Sequence, residues 1–218
     1  MGRTAGYRRA MHEIDHIVYA VRDLDPAAER FRRDLGLDSA AGGRHAGWGT
    51  GNRIVPLGEQ YVELISVLDP EEAAGTTFGR AMLAFLAGGD RPWAFVVRTD
   101  AIEPIAARLG LEVSAGSRTR PDGRVIAWRG AGLADPRREP YMPFFIQWDL
   151  ASEDLYPGRM RAGHGVKARG LAWVEVAGDG ERLRGWLGEA SLPIRVVGGD
   201  PGVRAFAVET AEGELVVR

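Results

Sequence analysis

The sequence predicts an α+β fold made of paired βαβββ modules around a cleft, with a third, shortened βαβββ module at the C-terminus. Three observations carry this expectation. The stretch Asp15-His16-Ile17-Val18-Tyr19-Ala20-Val21-Arg22-Asp23 returns, altered, as Arg91-Pro92-Trp93-Ala94-Phe95-Val96-Val97-Arg98-Thr99. Both stretches lead into an amphipathic helix and then into further strands, so one small unit is duplicated and the chemistry is expected between the copies. The same order of elements appears once more, in shorter form, after residue 167.

Residues 1–10 are basic but lack the apolar middle of a secretory signal. They read as a loose leader, with Met11 a candidate natural start. The first module spans 11–69. Its opening strand, residues 14–21, is β-branched and aromatic between polar flanks. Asp23 or Asp25 can cap the next helix, and Pro26 suits its first turn. Leu24, Ala27, Ala28, Phe31 and Leu35 then recur at helical spacing until Gly36. A glycine-rich loop over 41–51 leaves room for a short strand near 44–50, and strands 52–57 and 60–67 flank a Gly58-Glu59 turn. Residues 70–90 form a helical connector, where Phe78, Met82, Phe85 and Leu86 suggest one helix closed by Gly88-Gly89.

The second module spans 91–151. Strand 93–98 leads to a helix capped by Asp100, carrying Ile102, Ile105, Ala106 and Leu109 and ended by Gly110. Strands follow at 112–117, 124–129 and 144–150, with Pro121-Asp122-Gly123 as a turn. A polar linker, 152–167, precedes the third module, 168–218. There a strand at 171–176, a helix capped by Asp179 and three short strands are separated by Gly-Asp-Pro-Gly and Glu-Gly turns. Three units suit pairing poorly. The third either pads a sheet edge or pairs with its copy in a second chain, giving a homodimer.

A length of 218 residues allows a substantial core, and 45% hydrophobic with 27% charged residues is the balance of a soluble globular protein. With a net charge of −2, nothing argues for nucleic acid or an anionic membrane surface as partner. The absence of cysteine removes disulfides, thiolate catalysis and Cys-type zinc sites. No apolar run approaches the roughly 20 residues of a membrane span, so a cytoplasmic location follows by default.

Several stretches together carry a family resemblance. They are Ile14-Asp15-His16-Ile17-Val18-Tyr19, the loop Gly42-Gly43-Arg44-His45-x-Gly47-Trp48-Gly49-Thr50-x-Asn52, Gly58-x-x-Tyr61-Val62-Glu63-Leu64-Ile65, and Pro143-Phe144-Phe145-Ile146-Gln147-Trp148-Asp149. Over about residues 12–150 the chain resembles the vicinal oxygen chelate superfamily, which includes glyoxalase I, extradiol dioxygenases and bleomycin-resistance proteins. The wording is most similar to its glyoxalase-like domain family. The resemblance implies that each module curls into half a barrel, and that metal ligands come from the first and fourth strands of each module. Carried over, those positions are His16 and Glu63 in the first module. In the second, Gln147 stands at the place of Glu63 and Pro92, which has no ligating side chain, at the place of His16.

Read as chemistry, His16 alternates with Ile17 and Tyr19 and should face away from them. Glu63 is a carboxylate in an otherwise apolar strand, which is costly unless paired, hydrogen-bonded or bound to metal. His16, Glu63 and Gln147 could hold Zn, Ni, Mn or Fe as a divalent ion with open positions. Glu63 and His45 are then the candidate catalytic groups, and Trp48, Asn52 and Gln147 the candidate substrate contacts. The residues leave three readings open: a metal-dependent lyase, isomerase or dioxygenase; a metal-free small-molecule or drug-sequestering protein; and a purely structural polar cluster. Gln147 is the expected cleft residue of its strand and Trp148 a core residue. Arg118 and Arg120 could grip an anion but read first as solvated edge residues. His12 and His164 read as exposed. No Gly-x-Ser-x-Gly elbow, no Gly-x-Gly-x-x-Gly after a strand and no phosphate loop is present.

Overall fold

The computed structural model describes residues 11–218, and the leader expected over 1–10 lies outside the described residues. The first unit comprises β1 (His12–Ala20), α1 (Leu24–Leu35), β2 (Ala40–His45), β3 (Thr50–Pro56) and β4 (Tyr61–Val67). The connector carries α2 (Pro70–Ala74) and α3 (Thr77–Leu86). The second unit comprises β5 (Arg91–Thr99), α4 (Ile102–Leu109), β6 (Val113–Thr119), β7 (Val125–Ala131) and β8 (Phe144–Asp149). The two units close one barrel in the order β1-β4-β3-β2-β6-β7-β8-β5.

Two seams join the units. β1 and β5 pair antiparallel over nearly their whole length, whereas β2 and β6 meet at the single pair Arg44 and Thr119. The second seam depends on Gly43, because a Cβ there would overlap the Thr119 carbonyl oxygen. Gly43→Ala is therefore expected to cost about 1–3 kcal/mol by overpacking. Urea denaturation reads this directly, and an unchanged midpoint would mean that the strands can part without penalty.

Asp23 caps α1, its carboxylate accepting from the Asp25 amide at 3.3 Å, and Gly36 ends the helix at φ 66°. The connector is two helices rather than one. Asp69 accepts from the Glu72 amide at 3.0 Å and Thr76 from the Gly79 amide at 2.9 Å, so two N-caps start two helices within a few residues. Met82 and Leu86 of α3 pack with Val18, Ala20, Ile65, Ala94, Val96, Phe144 and Ile146 in the barrel interior.

The third unit is β9 (Ala168–Ala177), α5 (Gly180–Leu187), β10 (Ile194–Val197), β11 (Gly202–Thr210) and β12 (Gly213–Val217). Its chain order is βαβββ, as expected, but its sheet order is β10-β9-β11-β12. β9 thus pairs in parallel with the strand straight after the helix, whereas β1 pairs in parallel with the last strand of its unit. The sheet covers a barrel face, not an edge. Leu171, Val174, Phe206 and Val208 share one core with Ile14, Ile17, Tyr19, Phe95 and Val97 of the β1–β5 seam. The outward side chains of both strands are apolar, so their outer face needs a cover. Among the described residues, no helix is long and apolar enough to cross a membrane.

Candidate functional site

The site starts from an irregularity in β1. Ile14 pairs with Val97 while His16 pairs with Val96, which makes Asp15 the extra residue of a β-bulge. Simple alternation therefore fails at this point. Ile14, Ile17 and Tyr19 all face the outer core, and the adjacent side chains Asp15 and His16 both serve the interior, joined by a 2.7 Å contact from His16 Nδ1 to Asp15 Oδ1. β5 has a matching bulge, since Val18 pairs with Ala94 and Tyr19 with Pro92. The bulges correspond, so His16 matches Ala94 rather than Pro92. Two residues further on, Val18 pairs with Glu63 and Val96 with Phe144, so Glu63 matches Phe144.

Asp15 is 0% exposed. Besides His16, its Oδ2 accepts from Trp148 Nε1 at 2.9 Å, lies 3.0 Å from the Tyr156 hydroxyl and stands 3.9 Å from the Arg98 guanidinium. Burial, and then the Asp15 charge, hold the Tyr156 phenol far above the usual tyrosine range, so it stays a proton donor. The His16 ring stacks on Tyr61 at 4.3 Å between centroids. Its far nitrogen, Nε2, faces Glu63 Oε2 at 3.7 Å. One imidazole thus stands between two carboxylates.

Glu63 is 9% exposed. Asn52 Nδ2 donates to Glu63 Oε1 at 2.5 Å and lies 3.3 Å from His45 Nε2. The two amide hydrogens can serve both acceptors, which makes His45 Nε2 the unprotonated nitrogen and leaves Nδ1–H to Thr50 Oγ1 at 3.0 Å. Burial lowers the His45 pKa, opposed by Glu63 and assisted by Arg118 and His16. The sign follows: above about pH 6.5 folded and unfolded chains agree on a neutral imidazole, and below it only the unfolded chain takes up the proton. His45 should thus withdraw stability as the pH falls through that range toward its lowered folded-state pKa. Urea midpoints at pH 7.5 and 5 should draw closer together in His45→Asn than in wild type; an equal acid loss in both proteins would refute this.

His16, His45, Trp48, Asn52 and Glu63 line one cavity. Its remaining wall is largely aromatic: Tyr61, Phe78, Trp93, Trp128, Phe144 and Trp148. Trp48, Phe78, Trp93 and Trp128 are half-buried and mark the side that meets solvent.

Five of the six candidate residues are thus brought together, and Gln147 is not. Its Oε1 accepts from the Ile102 amide at 3.0 Å, so it caps α4 on the outer side, a role expected of Asp100. The face assignment of β8 is reversed: Phe144, Ile146 and Trp148 line the cavity, while Phe145 joins the outer core. Trp148 is therefore a cavity residue. The reason is that both faces of β8 are covered, so apolar residues on both sides hide which face is which. Arg118 is also corrected, from solvated edge to 4% exposed cavity wall. His164 is half-buried, accepting from the Asp38 amide at 3.0 Å and contacting the Pro56 carbonyl at 2.7 Å. Sequence reasoning missed Asp15, Tyr61, Trp128 and Tyr156. A buried-charge signal was available for Asp15, an acid inside a strand, but none for Tyr156 in a polar linker.

The sequence matches the model of the glyoxalase-like domain over residues 14–190. The chain belongs to the glyoxalase-like domain family. No curated protein matches it. A hypothetical protein from Staphylococcus aureus is similar in structure, with 18% identity, a TM-score of 0.69, and cover of 89% of this chain and 88% of that one. A methylmalonyl-CoA epimerase from Mycobacterium tuberculosis shares 18% identity at a TM-score of 0.46, over 65% of this chain and 89% of that one. At such identities the likeness concerns the fold alone.

Members of this superfamily often use divalent metals, and the donor set here tests that. The four superfamily ligand positions hold His16, Glu63, Ala94 and Phe144, of which the last two cannot ligate. The expected third ligand, Gln147, is engaged elsewhere. Glu63 Oε1 and His45 Nε2 lie 3.6 Å apart, and the Asn52 amide already donates to the first and stands 3.3 Å from the second. Among the described residues, no group of three or more His, Cys, Asp or Glu side chains could hold a metal ion. The residues present do not fit the ion.

Proposed function

We propose that this family member binds a small oxygen-bearing molecule in the barrel cavity and moves a proton on it, using Glu63 as the base and no bound metal. The observation that carries this reading is the carboxylate itself: Glu63 lies in an aromatic-walled cavity, fixed by Asn52 through one oxygen while the other faces His16. Fixing one oxygen selects the other for chemistry. A C–H next to a substrate carbonyl would lose its proton to Glu63 Oε2. His16 Nε2, 3.7 Å away, can then share that proton, and Asp15 stabilises the imidazolium so formed. The C–H electron pair moves into the carbonyl as an enolate, and the two carboxylates flanking His16 keep the proton near the substrate for return to the same or a neighbouring carbon, the pattern of an isomerase.

Deuterium wash-in tests the reading. The full chain is incubated in D2O with pyruvate or hydroxyacetone, and exchange at carbon is followed by NMR. Exchange above the protein-free rate is expected, and dialysis against EDTA should leave it unchanged. Loss of exchange on chelation, restored by Zn, Ni, Mn or Fe, would overturn the metal-free mechanism. Ligand-induced tryptophan quenching with no exchange would favour the sequestering alternative, to which the same aromatic wall is suited.

A further inference from the structure

The proton-transfer reading leaves one charged group in the cavity unused. Arg118 projects from β6 into the wall that Glu63 also lines. Its Nη1 and Nη2 are buried and have no hydrogen-bond partner among the described residues. Burial pulls its pKa below the usual arginine value, opposed by Tyr61 and Glu63, yet a guanidinium remains protonated at neutral pH. A buried cation with free donors is strongly unfavourable unless acceptors are supplied. Neighbouring arginines meet that requirement within the protein: Arg98 pairs with Glu13 at 2.6 Å and Arg44 with Glu72 at 2.6 Å.

The chemistry of the missing acceptor follows from shape and charge. The two terminal nitrogens form the edge of a planar fork that matches the two oxygens of a carboxylate. A doubly charged group would suffer repulsion from Glu63 in the same cavity, so a single negative charge fits best. Trp48, Trp128, Phe144 and Trp148 offer apolar surface to the rest of the molecule. We propose that the cavity's ligand is a small monocarboxylic acid, gripped as its carboxylate by Nη1 and Nη2 of Arg118. This rests on the cavity being the binding site of the reading above, but not on Glu63 acting as a base.

Four of the six tryptophans line the cavity, so their fluorescence reports binding. The full chain is titrated with pyruvate and propionate, with their amides, and with inorganic phosphate. The carboxylates should bind about tenfold or more tighter than the amides, the scale of one charge-assisted contact, and tighter than phosphate. Arg118→Met should abolish that preference, and Arg118→Lys, which keeps the charge but not the fork, should retain part of it. Equal binding of acid and amide, stronger binding of phosphate, or no binding of either carboxylate by wild type would overturn the proposal whatever the variants do. Deuterium exchange on pyruvate separates the two readings. Carboxylate preference without exchange removes the base role of Glu63 and keeps the Arg118 fork; exchange without preference does the reverse.

Discussion

Glu63→Gln should slow deuterium wash-in by about 10²–10⁴-fold, the range spanned by general-base catalysis. The substitution is nearly isosteric, and a glutamine Oε1 still accepts from Asn52 Nδ2, which donates to Glu63 at 2.5 Å in the native chain. What disappears is the basic oxygen opposite His16. Glu63 is 9% exposed and faces His16 at 3.7 Å, so the urea midpoint is measured beside the exchange rate. Loss of exchange with retained stability would place Glu63 in the chemistry. Wild-type exchange rates in the variant would end its role as the base. Asn52→Ala serves as the companion measurement, since it leaves the carboxylate but frees it to rotate; a smaller loss is expected there.

Asp15→Ala should cause the largest loss of stability. Asp15 is fully buried and is the shared acceptor for His16 Nδ1 at 2.7 Å and Trp148 Nε1 at 2.9 Å, with the Tyr156 hydroxyl at 3.0 Å and Arg98 at 3.9 Å. Removing it strands the Trp148 and His16 donors in a place that water reaches poorly, while Arg98 keeps its 2.6 Å partner Glu13. Breaking a buried charged pair on one side costs about 3–5 kcal/mol, a large part of the roughly 5–15 kcal/mol that holds a domain folded. Asp15→Asn keeps the volume and one acceptor oxygen, and should fall between alanine and wild type. Denaturation of the three proteins in urea gives the order directly. An alanine variant within about 1 kcal/mol of wild type would mean that water or rearrangement satisfies those donors.

Much of this molecule was legible before any coordinate. The repeat between 15–23 and 91–99 announced two sibling units, and the helical spacing of Leu24, Ala27, Ala28, Phe31 and Leu35 announced α1. His16 and Glu63 are legible from the family resemblance and as polar side chains in apolar strands, and His45, Trp48 and Asn52 from their place in or beside a glycine-rich loop. All five line one cavity. The errors share a cause. Gln147 and Trp148 exchanged faces, and Arg118 moved from edge to interior, because alternation reveals orientation only when one face of a strand is wet. In β8 both faces carry apolar residues and are covered over Phe144–Ile146, and β6 reads as polar outside the single buried position that matters.

The sequence by itself determined the α+β class, the duplicated units, the caps at Asp23, Gly36, Gly110 and Asp179 and the residues able to do chemistry, because these depend on spacing and on the properties of single side chains. Tertiary structure alone decided the rest. Bulges at Asp15 and Trp93 reset which positions correspond, the outer sheet claimed a face rather than an edge, and barrel closure carried Arg118 into the wall beside Glu63. Each of those outcomes is a relation between strands far apart in the chain. Such relations are fixed by which surfaces exclude water together, and that cannot be read from any one segment.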